Sequence, residues 1–413
     1  MFWPKLNQHK ISQRVFSALG NNANYRTENI LGLPATYLDD QIFYDDAPFL
    51  KDAPFLSSMI ANPNHIGCHT LLAEGEPMFK GTQDIERELI RICACEILGA
   101  EPDQYDGYVA SGGTEANIEA MWIYRNMYMS EYGATSDEIA IVCSEDTHYS
   151  IHKASDLLSI PVIVADVDKD NRTILIASLE KRLLAAKAKG IKYFIGVVNM
   201  ATTMFGSVDD PDQLAGLFST LKLNFRLHAD GAYGGFIYPF TNPSNNLSFK
   251  NPNISSISLD AHKMLQAPYG TGIFLARKNL MHFVQTDEAS YVKGTDYTLC
   301  GSRSGANAIC TWMILHTYGS SGWMVKMHDL NDKTASLCAK LDEMNIHYFR
   351  NPFINIVTIK SKYITPQLAS KYFLVPDNHT QQPEWYKLIM MPHVKQGILD
   401  NFLSELLHQQ HVS

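Results

Sequence analysis

The chain has 413 residues, of which 46% are hydrophobic and 19% charged, enough apolar material for a large core and more than one average domain needs. Its formal net charge of −9 argues against nucleic acid as the main partner, because a phosphate backbone requires a basic surface. The seven cysteines are irregularly spaced and lack zinc-site spacing, which predicts no metal site and a reduced, cytoplasmic protein. The sequence contains no signal-peptide pattern and no apolar run of about 18 residues, so we expect no membrane span.

The chain is predicted to fall into three parts. Residues 1–55 lack a long periodic pattern and are expected to form an arm or a short helical lead-in. Residues 56–295 alternate short apolar runs with helical stretches and are expected to form a large domain. Residues 296–413 suit a smaller α+β domain. The elements predicted in this last part are helices at Ala306–Tyr318 and Gly322–Asn345, a strand at Ile354–Ile359, and a last helix reaching Leu407.

Strands and helices alternate through the predicted large domain. The predicted strands are Gly107–Ala110, Ile139–Cys143, Pro161–Ala165, Tyr193–Asn199, Phe225–His228, Ser255–Leu259 and Gly272–Ala276. The predicted helices are Glu115–Ser130, Tyr149–Leu158, Leu175–Lys187 and Asp212–Leu221. This alternation predicts an α/β fold with a mostly parallel seven-stranded sheet between helices. Ligands of such sheets bind beyond the carboxyl ends of the strands, so the residues that follow each strand are the candidates for a site.

A glycine-rich segment, Ser111-Gly112-Gly113-Thr114, follows the first strand and precedes a helix. Small residues let the backbone approach an anion, and a helix N-terminus offers free N–H groups and the positive end of its dipole. The segment therefore predicts a phosphate-binding site. An ordinary strand-to-helix turn with Thr114 as the N-cap is the alternative.

Three further strand ends carry side chains suited to a flat ligand. His148 follows the second strand, where an imidazole can stack on a ring, and capping a helix is its alternative role. Thr202 and Thr203 follow the fourth strand and either bond a ligand or cap the loop. Asp230 follows the fifth strand among Ala and Gly residues, where a carboxylate can keep a pyridine nitrogen protonated; a turn aspartate is the alternative.

Lys263 lies directly after the sixth strand, in the segment Ser258-Leu-Asp-Ala-His-Lys-Met264. A lysine in an otherwise apolar setting can act as a nucleophile, whereas a surface lysine at a strand exit has no such role. The phosphate-binding segment, the imidazole, the hydroxyl pair, the carboxylate and the lysine occur in this order, each after its own strand. Together they predict one cofactor site at one edge of the sheet.

The residues of these segments and their order along the chain resemble those of the group II pyridoxal-phosphate (PLP) dependent amino-acid decarboxylases of fold type I. The resemblance covers roughly residues 60–405 and rests on the segments Ser111–Asn117, Thr147–Ser150, His228–Gly235, Asp260–Met264 and Thr298–Gly305. The His262-Lys263 pair and the Gly-Ser-Arg-x-Gly segment distinguish this group from ordinary aminotransferases. In its short N-terminal region and in Met390-Met-Pro-His393 the chain looks most like the archaeal tyrosine/aspartate decarboxylases.

The resemblance implies a role for each matching residue. Lys263 would hold PLP as a Schiff base, Asp230 would pair with the pyridine nitrogen, and His148 would stack on the ring and help position a proton. Tyr291 would deliver the proton to the α-carbon, or else pack a mobile loop. The residues implied to contact the cofactor are Ser111, Gly112, Gly113, Thr114, His148, Thr203, Asp230, Ala232, His262, Lys263 and, within a homodimer, Gly301 and Ser302 of the partner subunit.

The implied reaction is decarboxylation of an aromatic or acidic L-amino acid to its amine and carbon dioxide, through an external aldimine and a quinonoid. The candidates for substrate contact are Asn62, His65, His69, Phe79, Thr82 and Arg303. Each of them has an alternative role in packing the subunit interface, and Arg303 in orienting the dimer loop. A PLP-dependent carbon–carbon lyase resembling sphingosine-phosphate lyase, and a catalytically silent PLP-binding relative, are the competing interpretations.

Overall fold

The computed structural model describes residues 2–22, 75–286 and 293–410. Four residues of the predicted site, Asn62, His65, His69 and Tyr291, therefore lie outside the described residues. The strands are β1 Tyr105–Ala110, β2 Ile139–Ser144, β3 Val162–Ala165, β4 Tyr193–Asn199, β5 Asn224–Gly231, β6 Ile254–Asp260, β7 Gly272–Arg277, β8 Tyr348–Phe349, β9 Ile356–Lys360, β10 Val375–Pro376 and β11 Trp385–Ile389. The α-helices are α1 Gln8–Gly20, α2 Lys80–Arg91, α3 Gly113–Tyr132, α4 Ser150–Leu158, α5 Ile176–Ala188, α6 Pro211–Thr220, α7 Tyr238–Thr241, α8 Gly305–Glu343, α9 Pro366–Lys371 and α10 Gln396–Gln410.

The first seven strands form one sheet in the order β1-β7-β6-β5-β4-β2-β3. Five neighbouring strands are parallel to one another: β3, β2, β4, β5 and β6. Strand β7 runs antiparallel to both β6 and β1. The predicted α/β class and the mostly parallel seven-stranded sheet are therefore confirmed. All seven predicted strands coincide with observed ones, because buried parallel strands have short, nearly continuous apolar runs.

The two faces of this sheet bury different residues of the same strands. In β2, Ala140 and Val142 join one hydrophobic core, whereas Ile139, Ile141 and Cys143 join the core on the opposite face. This alternation follows from the twofold period of a strand, and it explains why helices cover both faces. The cofactor-binding candidates are thereby left at the strand ends.

A second, antiparallel sheet has the order β10-β11-β9-β8 and packs with α10 around a third core that includes Leu337, Val357 and Phe402. This arrangement agrees with the α+β character predicted for the C-terminal part. The domain boundaries after residues 55 and 295 stay predictions. Among the described residues, no helix combines the length and the apolar composition that crossing a bilayer requires.

Helix α8 connects a core of the large sheet with the core of the smaller sheet. It contains a break at Gly319, whose φ is +65°. The predicted helices Ala306–Tyr318 and Gly322–Asn345 lie on either side of this break. The N-terminal segment fills it: the Trp3 indole donates to the Leu315 carbonyl at 2.8 Å, and the Ser320 amide donates to the Trp3 carbonyl at 3.3 Å. A Cβ at position 319 would lie 2.6 Å from the Lys5 nitrogen, so glycine is required there both by its φ and by this close approach.

Candidate active site

The carboxyl ends of the parallel strands and the N-terminus of α3 surround a cavity of about 310 Å³, which is within the range of small-molecule sites. Its lining residues are Ser111, Gly112, Gly113, Thr114, Glu115, Asn117, His148, Tyr149, Ala232, Asp260, His262 and Lys263. A small adjoining cavity is lined by His148, Asn199, Ala201, Thr202, Thr203, Asp230, Ala232, Tyr233 and Lys263. The two cavities share His148, Ala232 and Lys263, so the structure brings together all of the predicted cofactor residues except Gly301 and Ser302.

The N-terminus of α3 is open toward the cavity. Gly112 is its N-cap and provides no side-chain hydrogen bond, so the first N–H groups of this 20-residue helix are free of a cap. Thr114 therefore lies inside the first turn, and the alternative role of Thr114 as N-cap is wrong. A Cβ at Gly113 would lie 2.9 Å from both the Ala232 Cβ and an Asp260 oxygen, so a side chain there would close the gap between helix and cavity.

Lys263 extends into this cavity beside two groups of its own segment. Its Nζ lies 3.0 Å from Asp260 Oδ2, and His262 Nε2 lies 3.6 Å from the same oxygen. The Asp260 side chain is 3% exposed and the Lys263 side chain 33%, so the carboxylate is buried and the amine is accessible. Asp260 Oδ1 and His262 Nδ1 are buried and have no hydrogen-bond partner among the described residues.

Asp230 lies at the end of β5 and is buried. Its Oδ1 accepts the Ala232 N–H at 3.0 Å, and its Oδ2 accepts the Asn117 amide at 2.8 Å. Hydrogen bonds to a carboxylate stabilise its charged form, so Asp230 provides a fixed negative charge at the cavity wall.

His148 is half-buried at the cavity wall, after β2. Burial lowers the pKa of its imidazole, and the neighbouring Asp230 carboxylate opposes that shift. The Ser150 hydroxyl lies 2.9 Å from Nδ1, and the Ser150 N–H donates to the same nitrogen at 3.2 Å. The ring is therefore a neutral group whose Nδ1 is already engaged.

The two hydroxyls after β4 have different surroundings. Thr202 is buried and bonds Ser207 across the loop at 2.7 Å, which is the loop-capping alternative. Thr203 is exposed and lines the smaller cavity, and its contact with the cofactor stays a prediction. Its carbonyl accepts the Nζ of Lys387, on β11, at 3.0 Å. Burial lowers the pKa of Lys387, and the charge of Lys263 lowers it further.

Three predicted substrate contacts, Phe79, Thr82 and Arg303, lie buried in or next to α2. Phe79 is buried at the start of that helix, and its carbonyl accepts the Thr82 hydroxyl at 3.0 Å. Arg303 pairs with Glu86, and these side chains are 5% and 0% exposed. Its guanidinium also donates to the Val109 carbonyl at 3.1 Å. This geometry does not support a substrate role for Arg303 and favours its alternative, orientation of the loop.

Sequence reasoning missed three residues of the site. Asp260 ends a strand, so the rule that identified Asp230 could have found it. Asn117 ends the segment Ser111–Asn117 noted above, but its function depends on contacts between α3 and β5 that no local pattern encodes. Lys387 reaches the site from the second sheet, and nothing in its neighbouring sequence indicates this.

The geometry fits PLP. The uncapped N-terminus of α3 suits a phosphate group. The unpartnered His262 Nδ1 is a buried polar atom that a bound group can satisfy. The accessible Lys263 amine suits an aldehyde. The buried Asp230 carboxylate, which accepts two hydrogen bonds, suits a pyridine nitrogen.

Residues 56–353 match the family described as the pyridoxal-dependent decarboxylase conserved domain. The chain is 49% identical to the tryptophan decarboxylase of Clostridium sporogenes, over 98% of this chain and 97% of that protein. It is 30% identical to a probable L-tyrosine/L-aspartate decarboxylase of Methanosarcina barkeri, over 85% and 91% of the two chains. The fold matches that of L-methionine decarboxylase from Streptomyces sp.590, with a TM-score of 0.68 at 19% identity, covering 98% of this chain and 96% of that one. The match over most of the length and the agreement in fold show that this chain belongs to the pyridoxal-dependent decarboxylase family, whose members are PLP-dependent amino-acid carboxy-lyases.

Proposed function

We propose that this PLP-dependent decarboxylase acts on an aromatic L-amino acid, with L-tryptophan as the first candidate. The observation that carries this choice is the 49% identity, over nearly the whole of both chains, to a tryptophan decarboxylase. The relative named for tyrosine and aspartate is 30% identical, so an acidic amino acid is the second candidate.

When bound, PLP supplies a conjugated ring that takes up the electron pair released as carbon dioxide leaves. Lys263 provides the amine that anchors the cofactor, and the Asp260 carboxylate 3.0 Å away orients it. Asp230, held by the Asn117 amide and the Ala232 N–H, presents its negative charge to the pyridine nitrogen.

The uncapped N-terminus of α3 would hold the phosphate. The residues we assign to it are Ser111, Gly112, Gly113, Thr114 and His262. His148 would face the bound ring as a neutral imidazole, because burial lowers its pKa, and it holds a proton at the cavity wall. We assign protonation of the α-carbon to Tyr291, which lies outside the described residues.

We further propose that the enzyme is a homodimer in which Gly301 and Ser302 of the partner subunit reach the phosphate. Gly301 is half-buried and Ser302 is exposed, just before α8, so both are accessible to a second copy. A cytoplasmic location is supported by the free cysteines of the described residues: Cys93, Cys95, Cys143, Cys300, Cys310 and Cys338.

The test is a panel of the twenty amino acids, assayed with PLP for carbon dioxide and for the product. We expect an amine from L-tryptophan at the highest kcat/KM, with other aromatic amino acids next. Turnover restricted to acidic amino acids would overturn the aromatic assignment. Release of an aldehyde without carbon dioxide would instead support the carbon–carbon lyase alternative.

Lys263→Ala tests the assignment of the anchoring amine. We expect a loss of at least about a thousandfold in activity and no covalently bound cofactor, because no other amine takes its place beside Asp260. Lys278→Ala is the matched control, since Lys278 is an exposed lysine that likewise follows a strand, β7, and lies outside the cavity. Wild-type activity in Lys263→Ala would exclude both the anchoring role and the enzyme assignment for this site.

A further inference from the structure

A continuous series of buried hydrogen bonds lies behind the cavity wall. Its members are Tyr124, Ser256, His228, Asn117, Ser258, Asp230, Ser150 and His148. Asn117 is its centre, 1% exposed and bonded on both sides of its amide. The Asn117 nitrogen donates to Asp230 at 2.8 Å and to the Ser150 hydroxyl at 2.9 Å. The Asn117 oxygen lies 2.9 Å from His228 Nε2 and 2.8 Å from the Ser258 hydroxyl, which donates to it.

Asp230 determines which way the Asn117 amide points. A carboxylate only accepts hydrogen bonds, so the amide nitrogen must face Asp230, and the amide oxygen must face His228. The opposite orientation would bring two acceptor oxygens to 2.8 Å from each other between two buried residues.

The orientation of Asn117 in turn fixes the proton of His228. His228 Nε2 must donate to the amide oxygen, which leaves Nδ1 to accept the Ser256 hydroxyl proton at 2.7 Å. The Ser256 oxygen then accepts from the Tyr124 hydroxyl. Burial lowers the pKa of His228 to about 4, so the ring is neutral, as one donor and one acceptor nitrogen require.

The other arm of the series fixes the proton of His148. Because the Ser150 oxygen accepts from Asn117, its own proton is free for His148 Nδ1. The Ser150 backbone N–H also points at Nδ1, and a backbone amide only donates. Nδ1 is therefore an acceptor, and the proton of the neutral ring is on Nε2.

We propose that Asn117 is a positioning residue that orders the protons of this whole series, so that Asp230 keeps its charge and His148 keeps its proton on Nε2. Two members of the series, Asp230 and His148, line the same cavity, so one amide controls two groups of the site. The proposal rests on the functions proposed above for Asp230 and His148. It adds the reason why these two groups have defined protonation states.

The first test reads the ring protons directly, by long-range ¹H–¹⁵N NMR of the holoenzyme labelled at histidine. His148→Gln and His228→Gln assign the two signals. At neutral pH we expect both rings to show an unprotonated Nδ1 and a protonated Nε2. A protonated Nδ1 in either ring overturns the proposal.

The second test is Asn117→Asp, which keeps the acceptor for His228 but replaces the donors to Asp230 and Ser150 by a second carboxylate. Two carboxylates this close share a proton, so the charge at Asp230 is no longer fixed. We expect the PLP dissociation constant to rise at least about tenfold, and the pKa of His148 to rise by about one unit. The charged groups that face His148 are Asp230, Lys263, Asp260 and Lys153, and of these only Asp230 is in contact with the substituted side chain.

Asn251→Asp is the matched control. Asn251 is also buried, and its amide also donates to an aspartate, Asp212, at 2.7 Å, but it lies before β6, at the opposite end of that strand from Asp260. We expect this variant to leave the PLP dissociation constant and the His148 titration as in wild type. If Asn117→Asp behaves in the same way as Asn251→Asp, Asn117 has a packing role only and the proposal is wrong.

Ser150→Ala keeps the proposal testable if Asn117→Asp does not fold. It removes one donor to His148 Nδ1 and leaves the backbone donor in place. We expect the pKa of His148 to rise by less than in Asn117→Asp, while the tautomer of His228 is unchanged. An unshifted His148 contradicts the proposed connection between Asn117 and His148. None of these readouts requires turnover, so an inactive protein with the expected tautomers would refute the decarboxylase function and leave the role of Asn117 intact.

Discussion

Helix α3 presents two buried polar faces that solve the same problem in opposite ways. On the face toward β5 and β6, each polar side-chain atom of Asn117 has a partner. On the opposite face, neither carboxylate oxygen of Glu119 has a partner among the described residues. Burial raises the pKa of Glu119 well above its ordinary value and the neighbouring Glu115 raises it further, against smaller opposing contributions of Tyr108 and the Leu299 backbone, so burial favours the neutral carboxyl group. The first face keeps a charge by surrounding it with donors, whereas the second removes the charge by holding a proton.

Between the two faces, Glu115 connects the helix to the phosphate-binding segment. Its oxygens accept the Ser111 N–H at 2.8 Å and the Tyr108 hydroxyl at 3.1 Å. Burial alone therefore does not predict the charge of a carboxyl group beside or on this helix, because the hydrogen-bond donors around the group determine it. Asp230 therefore suits electrostatic chemistry, and Glu119 does not. Four variants test this difference, beginning with the largest expected effect.

Asp230→Asn should reduce the rate of carbon dioxide release by about a thousandfold or more, because a neutral amide cannot keep the pyridine nitrogen protonated. The measurement is kcat at saturating PLP and amino acid. Asp209→Asn is the control, since Asp209 is a buried carboxyl group after β4 that bonds Asn199 but lines neither cavity. Activity above a tenth of wild type in Asp230→Asn would refute the electrostatic role of its charge.

Arg303→Met should lower the free energy of unfolding by about 3–5 kcal/mol, because Glu86 then remains buried without its partner cation. Urea denaturation of the holoenzyme measures this. Arg14→Met is the control, because Arg14 pairs with Glu88, which lies on the same helix as Glu86. The Arg14 and Glu88 side chains are 28% and 41% exposed, so we expect a loss of less than about 1 kcal/mol in unfolding free energy. Equal losses in both variants would show that the buried pair has no special weight.

Glu119→Gln should change the pH dependence of stability. The folded pKa of Glu119 lies above its ordinary 4.5, so the native state keeps a proton that the unfolded state releases as the pH rises. Wild-type stability is therefore lost by about 1.4 kcal/mol per pH unit above that value, up to the folded pKa, and glutamine removes this dependence. The variant should become the more stable protein as the pH rises, in urea titrations between pH 5 and about 8. Glu131→Gln, at the exposed end of α3, should follow wild type, and parallel curves for Glu119→Gln would mean that Glu119 is charged.

Tyr124→Phe should have the smallest effect, a loss of about 1 kcal/mol in unfolding free energy, because it removes one donor to Ser256 and leaves the Ser256 hydroxyl donating to His228 Nδ1. Activity should stay within about twofold, as the amide of Asn117 is still fixed by Asp230. Tyr132→Phe, at the exposed end of the same helix, controls for loss of a hydroxyl. A large loss of activity in Tyr124→Phe would move the centre of the series from Asn117 to Tyr124.

The sheet and its strand-end residues could be predicted from the sequence, because both follow from local patterns. Apolar runs between helical stretches gave the seven strands, and parallel topology collects Asp230, His148 and Lys263 at one edge. The function of Asn117 could not be predicted, since it depends on how α3 rotates over β5. Arg303 was ambiguous for the same reason: its partner Glu86 lies on α2, far away in sequence.

The N-terminal segment bridges the break in α8 with hydrogen bonds. At Gly319 that helix stops supplying its own hydrogen bonds, and Trp3 and Leu6 take over by accepting from Ser320 and donating to the Leu315 and His316 carbonyls. Helix α8 contributes Ile309 and Leu315 to the core of the large sheet and Leu337 to the core of the smaller one, so the N-terminal segment supports a helix that both sheets pack against. We therefore expect an affinity tag at the N-terminus to disturb the break in α8, and a tag at the far end of α10 is the better choice for enzymology.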